Sequence, residues 1–434
     1  MSKSIWSEGQ KLPAFGKLQG KVTTDVLIIG GGLCGVLCAY MLRNAGVDCL
    51  LVEADTVGGG ITCNTTAKIT SQHGLIYDKL VRSRGNEVAA GYLRANQEAL
   101  AKYRELAGMV ECEFEERDAF VYTLSDREKI KREVNTVNEL GFPASFVEEV
   151  PLPLDVKGAI RFPDQAQFHP LKFLNGIVTG LPICEHTFIR DLAPHKAWSD
   201  SGEITADKII VATHFPFLNK HGGYFLKLYQ HRSYVIALEQ APDVQGMYLD
   251  EAQTGLSFRN YRNLLLVGGG SHRTGKQGGN WQELRNFVNL HYPAAREVTA
   301  WATQDCMSLD GIPYIGQYSV RTPDLYVASG FNKWGMTSSM VAAMLLRDLV
   351  TGTENPWERI FSPGRSIWKP QLFLNGAEAV TNLLTPAKRR CPHMGCALKW
   401  NPHERTWDCP CHGSRFTGDG KIIDNPATGN AKFD

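Results

Sequence analysis

Residues 25–29, DVLII, form an apolar, strand-like run, and the pattern then changes period. VLCAYMLRNAG behind it reads as a helix ending near Gly46, and CLLVE as a second strand ending in Glu53. Far downstream, DLYVASGFNKWGMTSSMVAAMLLRDLV (324–350) reads as a strand, a glycine-punctuated loop and a helix. Between them, helical periodicity at 84–108 and 127–140 leads into alternating segments such as SYVIALEQ (233–240) and LSFRNYRNLLLVGGG (256–270). No run approaches the roughly 18 apolar residues needed to span a bilayer. The start, MSKSIWSEGQKLPAFG, lacks the apolar stretch of a signal peptide, so a cytoplasmic protein with no integral membrane segment is expected.

Composition changes this picture little. A chain of 434 residues, 43% apolar and 21% charged, is long enough for two or three ordinary globular domains. Its 46 basic and 45 acidic residues nearly cancel, so no bulk electrostatic argument favours nucleic acid or an anionic membrane, and no nucleic-acid partner is expected. Of 11 cysteines, seven are scattered (Cys34, Cys38, Cys49, Cys63, Cys112, Cys184, Cys306) and read as small buried apolar side chains. The other four cluster near the end of the chain.

The turn between the first strand and helix carries Gly30-x-Gly32-x-x-Gly35, with Glu53 closing the next strand 18 residues beyond the third glycine. Such glycines permit a tight turn and let backbone approach a pyrophosphate, whose charge sits at the helix N-terminus. Glu53 is placed to accept from a ribose hydroxyl. Strand, glycines, helix, strand and acid occur in order, which together signal dinucleotide binding, by FAD or NAD rather than NADP. The following GGGITCNTTAKITSQHGLIY (58–77), Thr66 included, is rich in glycine and hydroxyl residues where an extended cofactor would continue. At 330–337 the loop would offer the amides of Gly335, Met336 and Thr337 at a helix N-terminus, favouring negative charge on a reduced flavin, with Gly330 as loop former. The second glycine cluster, Gly268 to Gly270, lacks the third glycine and reads as the end of a strand near the ligand.

The early glycine motif, IIVATHFP (209–216), DGIPYIG (310–316) and GFNKWGMT (330–337) resemble the D-amino-acid oxidase/glycine oxidase superfamily of FAD enzymes over roughly residues 20 to 352. The resemblance implies FAD, and an α/β fold in which a Rossmann-like FAD-binding domain is assembled from separated segments with an antiparallel substrate domain inserted. It also implies oxidation of a carbon–nitrogen bond by hydride transfer to the flavin, with no obligatory acid–base residue. Glycine-oxidase-like members carry an arginine for the substrate carboxylate five residues before the aspartate of this DG-x-P motif. Here that position is Asp305, which would repel a carboxylate and pair with an ammonium. Lys333 stands where glycine oxidases carry a second carboxylate-facing arginine. The balance favours an amine or a modified amino acid as substrate. Further pocket candidates are His73, His169, Tyr229, Arg232, His272 and Trp334, of which fewer than half are expected to line the site. His169 has a plain alternative as a loop terminator, and Trp334 as packing. Cys306 lies closer to Asp310 than the cysteine of relatives with covalent flavin, so no covalent bond is expected.

CPHMGCALKWNPHERTWDCPCHGSRF (391–416) holds four cysteines and three histidines. Cys391-x-His393 and Cys409-x-x-His412 supply two thiolates and two imidazoles, one of each from two loops. That set could form a tetrahedral zinc site, although zinc modules usually open with two cysteines. It is also the set in which a Rieske centre holds one iron by cysteines and the other by histidines. CPHMGC and CPCHGS resemble the two cluster loops of Rieske [2Fe–2S] proteins of the cytochrome bc type. That resemblance implies a disulfide between Cys396 and Cys411, against the compartment expectation, and a hydrogen bond from Ser414 to a cluster sulfide. Phe416 replaces a common tyrosine, implying a lower potential. His403 reads as a turn residue.

TTAKITSQHGLIYDKL (65–80), AQFHPLKFL (166–174) and NKWGMT (332–337) extend the resemblance to bacterial FAD-dependent oxidoreductases with a C-terminal Rieske domain. The expected layout is an oxidoreductase over 1–352, with FAD-binding segments at about 20–80, 150–215 and 300–352 and a substrate domain at about 81–149 and 216–299. A linker at 353–388 lies along that body, and a truncated, all-β Rieske domain spans 389–434. This unit is too small to bury enough apolar surface alone, so Trp400, Trp407 and Phe416 are expected to pack on one another or on the body. The leading function is oxidation of an amine or amino-acid-like substrate, with electrons leaving through the cluster to an external acceptor. Reversed flow into the flavin, or a non-catalytic electron-transfer module, are the alternatives.

Overall fold

The computed structural model describes residues 3–219, 221–252 and 254–433, organised by three sheets. The first runs Tyr314–Ser319, Thr322–Ser329, Gly202–Val211, Gly20–Ile29, Cys49–Val52, Ile183–Cys184. Its last five strands are parallel, and only Tyr314–Ser319 pairs antiparallel on this path. The central strand shows why DVLII has no polar face. Val26 and Ile28 enter a core with the helix Leu33–Asn44, while Leu27 and Ile29 enter a second core on the other side. Alternate side chains point to opposite faces, and here both faces are covered.

The second sheet has nine strands, ordered Arg296–Ser308, Leu228–Glu239, Leu264–Arg273, Ser257–Tyr261, Met247–Asp250, Glu115–Thr123, Gly158–Gln167, Lys68–Ile69, with Ser145–Val147 added on Gly158–Gln167. Pairing is antiparallel except between Met247–Asp250 and Glu115–Thr123. Helices Asn86–Ala107 and Arg127–Glu139 fall where periodicity places them. Asp126 starts the latter by accepting from the Lys129 amide at 3.0 Å.

Strand membership departs from the expected segments. Lys68–Ile69, Gly158–Gln167 and most of Arg296–Ser308 fall in ranges assigned to FAD binding, yet they belong to the larger sheet. Local pattern identifies a strand but not its partner, which is set by long-range pairing. The stretch 353–388 also has structure of its own. Trp357 is buried. Arg365 holds Asp310 and the carbonyls of Ile312 and Pro313 at 2.9–3.1 Å, and the helix Pro370–Leu384 follows.

The third sheet, Lys399–Asn401, Thr406–Asp408, Arg415–Phe416 and Ile422–Asp424, is small and antiparallel. Its core consists largely of the cysteines, Leu398, Phe416 and two alanines. Trp400 packs on Trp407 at 5.2 Å and Trp407 on Phe433 at 5.9 Å. No helix among the described residues is long and apolar enough to cross a membrane.

Candidate active site and metal centre

A cavity of about 1920 Å³ runs from the first glycine turn, between the two large sheets, to the small C-terminal sheet. It exceeds the roughly 300–1,000 Å³ of a drug-sized site, leaving room for an extended dinucleotide and a substrate. At one end Gly30 has φ +113°, and a Cβ there would lie 2.6 Å from the Ala212 carbonyl oxygen. A Cβ on Gly35 would meet the Gly30 oxygen at 1.9 Å, so the helix reaches the turn only with glycine at both positions. Gly32 precedes the helix with no side-chain cap, while Thr62 Oγ1 accepts from the Leu33 amide at 3.0 Å. Glu53 accepts from the amides of Gly31 (2.6 Å) and Asp55 (2.9 Å). Burial raises its pKa against those bonds. A helix start whose N-cap glycine offers no side-chain acceptor, beside a carboxylate with spare lone pairs, fits the pyrophosphate and ribose of an adenine dinucleotide.

Thr66 lies on the cavity wall. Its carbonyl and that of Ala67 accept from buried Arg259 at 2.7 and 2.9 Å. The 330–337 loop bends through positive φ at Gly330, Asn332 and Lys333. Asn332 holds it by accepting from the Ser308 amide (2.8 Å) and donating to the Gly330 carbonyl (2.6 Å). The helix Gly335–Thr351 starts without a side-chain cap, and Gly335 and Met336 line the cavity. Thr337 lies behind, its hydroxyl 3.0 Å from His73 Nε2 and donating to the Thr70 carbonyl.

The pocket candidates separate into groups. Asp305, Lys333, Tyr229, Trp334 and His73 line the cavity. Trp334 stacks on His73 with centroids 4.8 Å apart, and burial lowers the His73 pKa to about 3, keeping it neutral. Burial raises the Asp305 pKa and lowers that of Lys333, each opposed by the other's charge. Lys333 Nζ donates to Ser271 Oγ. Arg232 touches the cavity, but its guanidinium is committed to Glu404 of the small domain (Nε to Oε1 2.9 Å). His169 and His272 do not line the cavity. His169 caps the helix Pro170–Ile177, its Nδ1 accepting from the Lys172 amide at 3.2 Å. His272 stacks on Tyr234 and contacts the Gly270 carbonyl.

At the other end the two cysteine–histidine loops meet. His393 and His412 cross at 89° with centroids 4.9 Å apart. The Nε2 of His412 donates to the Phe225 carbonyl (3.0 Å), and that of His393 contacts Asn219 Oδ1 (2.9 Å). With those protons on Nε2, each Nδ1 carries a lone pair, and both Nδ1 atoms are buried with no partner among the described residues. Burial lowers both imidazole pKa values, to about 4 and about 3. The thiols of Cys391 and Cys409 interact, pulling the former's pKa down and the latter's up. Cys396 and Cys411 are joined by a disulfide. Among the described residues the one close trio of sulfurs, Cys396, Cys409 and Cys411, therefore holds a single free thiol. No three of Cys391, His393, Cys409 and His412 lie within 4.8 Å of one another among the described residues. Ligands of one tetrahedral zinc would, since each sits about 2.0–2.3 Å from the ion. Two interacting thiols and two imidazoles with buried, unpartnered Nδ1 atoms are the donor set of a two-iron centre.

The cluster loops rest on the large sheet through residues no motif singled out. Gln230 Nε2 donates to the carbonyls of His412 (2.8 Å) and Asn425 (3.1 Å), and Gln304 Nε2 to that of Gly413 (2.9 Å). Arg273 reaches the carbonyls of Pro410 and Cys411 at 2.9 and 3.0 Å. Behind them Glu404 joins Arg232 to Arg415, which also pairs with Asp408 and Asp424. Burial opposes the Glu404 charge, but the two arginines hold its pKa below the usual range. In the sequence Gln230 and Gln304 sit among other polar residues of their strands, LYQHRSY and TQDCMS, and nothing local marks them as contacts.

Comparison with known proteins agrees with this geometry. Residues 25–349 match the family described as FAD dependent oxidoreductase, and residues 378–433 match the Rieske [2Fe-2S] domain. YhfW of Bacillus subtilis (strain 168), named as a Rieske 2Fe-2S iron-sulfur protein, is 35% identical over an alignment of 496 residues covering 98% of this chain and 96% of that protein. The cytochrome b6-f complex iron-sulfur subunit 3 of Nostoc sp. is 49% identical over 37 residues, 8% of this chain and 21% of that one. Among solved structures, glycine oxidase from Geobacillus kaustophilus superposes with TM-score 0.67 at 20% identity, covering 80% of this chain and 99% of that chain. L-proline dehydrogenase from P. horikoshii gives TM-score 0.67 at 17% identity, covering 80% and 98%. These two share the fold. The matched domains imply FAD and a [2Fe–2S] cluster as cofactors. The chain belongs to the FAD dependent oxidoreductase family and carries a Rieske [2Fe–2S] domain at its C-terminal end.

Proposed function

We propose that this protein oxidises a carbon–nitrogen bond of an amine or amino-acid-like substrate and exchanges the electrons with an external acceptor through its Rieske domain. One observation carries the reading: the cluster loop is seated on the strands that line the cavity. Tyr229 and His231 face the cavity, and Gln230 between them holds the His412 carbonyl. Thr303 and Asp305 flank Gln304 in the same way.

When bound, FAD supplies the hydride acceptor and the cluster a one-electron relay. Gly30, Gly32, Gly35, Glu53 and Thr66 would hold the dinucleotide, with Gly330, Gly335, Met336 and Thr337 at its reactive end. Cys391, His393, Cys409 and His412 would hold the irons. Asp305 orients the substrate amine, and Lys333, held on Ser271, receives a carboxylate or other anionic group. The Trp334–His73 stack covers one wall, with His73 neutral so that it adds no positive charge. The substrate loses a hydride and a proton to become an imine, which water then hydrolyses. The cytoplasm is the compartment of this reading, with the disulfide shielded by burial of both cysteines.

The test is anaerobic mixing of the holoenzyme with a panel of amines and amino acids. Flavin bleaching followed by cluster reduction is the expected sequence. Bleaching with an unchanged cluster, and stoichiometric peroxide once air is admitted, would refute the relay.

A further inference from the structure

The helix Pro370–Leu384 is built inside out. Its buried residues are Asn375 and Asn382. Asn375 Oδ1 accepts from Arg273 at 2.8 Å and Asn382 Nδ2 donates to Glu378. Most of its large apolar side chains face water instead: Phe373 is 64% exposed, Leu374 61%, Val380 56% and Leu384 77%. Positions 373, 377, 380 and 384 follow helical spacing, so Ala377 joins them in one stripe. Trp368, 74% exposed, extends the stripe at its N-terminal end, its ring 6.4 Å from that of Phe373.

A helix on a protein surface ordinarily buries its apolar face, and a continuous exposed one marks a contact surface. Charge identifies what covers it. The one acid of the helix, Glu378, is turned inward onto Lys276 at 2.7 Å. Lys369 and Lys388, at opposite ends of the stripe, form no ion pair among the described residues, and Arg390 caps the carbonyls of Leu383 and Thr385. An apolar stripe ended by cations, with a tryptophan at its edge, matches a bilayer interface bearing anionic head groups. A second copy of the chain would set these like-charged ends near one another across a two-fold axis.

We propose that this face docks on an anionic lipid surface, the helix lying in the interface with Phe373, Leu374, Val380 and Leu384 in the acyl boundary and Lys369 and Lys388 among the head groups. The cluster loop adjoins the patch, because Arg390 donates to the carbonyls of both Leu383 (3.2 Å) and Gly395 (2.8 Å), and the neighbouring Met394 is exposed. The docked protein therefore holds its cluster loop close to the membrane. This goes beyond the amine-oxidising reading and stands or falls separately from it.

The experiment is co-sedimentation of the full-length holoprotein with vesicles of phosphatidylcholine, alone or mixed with phosphatidylglycerol. Binding should require phosphatidylglycerol and weaken at high salt. The double variant F373E/L384E should lose binding. K369E/K388E should need at least about tenfold more lipid for half-binding, both with flavin and cluster spectra unchanged. Wild-type protein that ignores phosphatidylglycerol vesicles, or binding that survives F373E/L384E, overturns the proposal. So does a wild-type dimer that F373E/L384E dissociates while vesicles bind neither form, which would assign the face to a second copy.

Discussion

The side-chain amide of Gln230 donates to the backbone carbonyl of His412 at 2.8 Å, tying the loop that carries one histidine to a strand that lines the cavity. Gln230 Oε1 in turn accepts from Gln304, whose Nε2 also reaches Gly413. Gln230→Leu would leave the carbonyls of His412 and Asn425 buried without this donor, a cost of about 1–3 kcal/mol. The expected outcome is faster amide exchange over 409–416 and slower cluster reduction after substrate, with flavin content unchanged. Exchange at the wild-type rate would mean the amide is dispensable for docking.

Among the described residues Glu404 is the one carboxylate paired with Arg232, and it also serves Arg415. Removing it strands buried positive charge, so Glu404→Ala should cost about 3–5 kcal/mol and loosen the small domain from the body. Limited proteolysis that releases the C-terminal segment from the variant, but not from wild type, is the readout.

The same residue sets an acid limit. The two arginines depress the Glu404 pKa in the folded state below 4.5, so its contribution to stability is fully present above that value. It is lost as pH falls from about 4.5 through the lower folded-state pKa. Acid titration of the wild-type protein should release the Rieske domain in that window. In Glu404→Gln this pH-dependent step should be absent.

Asp305 and Lys333 divide substrate recognition. Asp305→Asn should lower kcat/KM for cationic amines by roughly 10- to 100-fold, and Lys333→Met should do so for substrates carrying a carboxylate. Steady-state kinetics with matched pairs, an amine and its carboxylated analogue, separates the two effects. Equal losses on both substrates in either variant would contradict the assignment.

His412→Ala removes one buried Nδ1 lone pair and the bond to Phe225. The variant should lose the Rieske spectrum and keep its flavin. Loss of both would make the small domain an integral part of the body. Metal analysis of wild type should find two irons and acid-labile sulfide per chain, and zinc in their place would overturn the reading.

Much of the cofactor chemistry was legible in the chain because it depends on short-range constraints. Gly30 and Gly35 must be glycine because the Ala212 and Gly30 carbonyls stand where a Cβ would be. Cys391, His393, Cys409 and His412 stand out as candidate ligands because they fall within two short loops, and the structure brings those loops together. The pocket candidates were less legible. His169 sits beside a helix motif and proves to be that helix's cap. Arg232 carries a charge that a substrate could use, yet Glu404, 172 positions away, has already taken it. The partner of a buried charge is decided by which distant segment packs against it, and no local pattern encodes that.

The sequence by itself determined the dinucleotide turn, the two cysteine–histidine loops, the strands and helices around them, and the family resemblance. Each rests on residues within a few positions of one another, where steric and hydrogen-bonding requirements act directly on residue type. Only the tertiary structure decided which strands share a sheet, that Gln230 and Gln304 seat the cluster loop, and that the helix Pro370–Leu384 turns its asparagines inward and Phe373, Leu374, Val380 and Leu384 to solvent. Those outcomes depend on long-range packing, which selects among many pairings that local pattern leaves equally open.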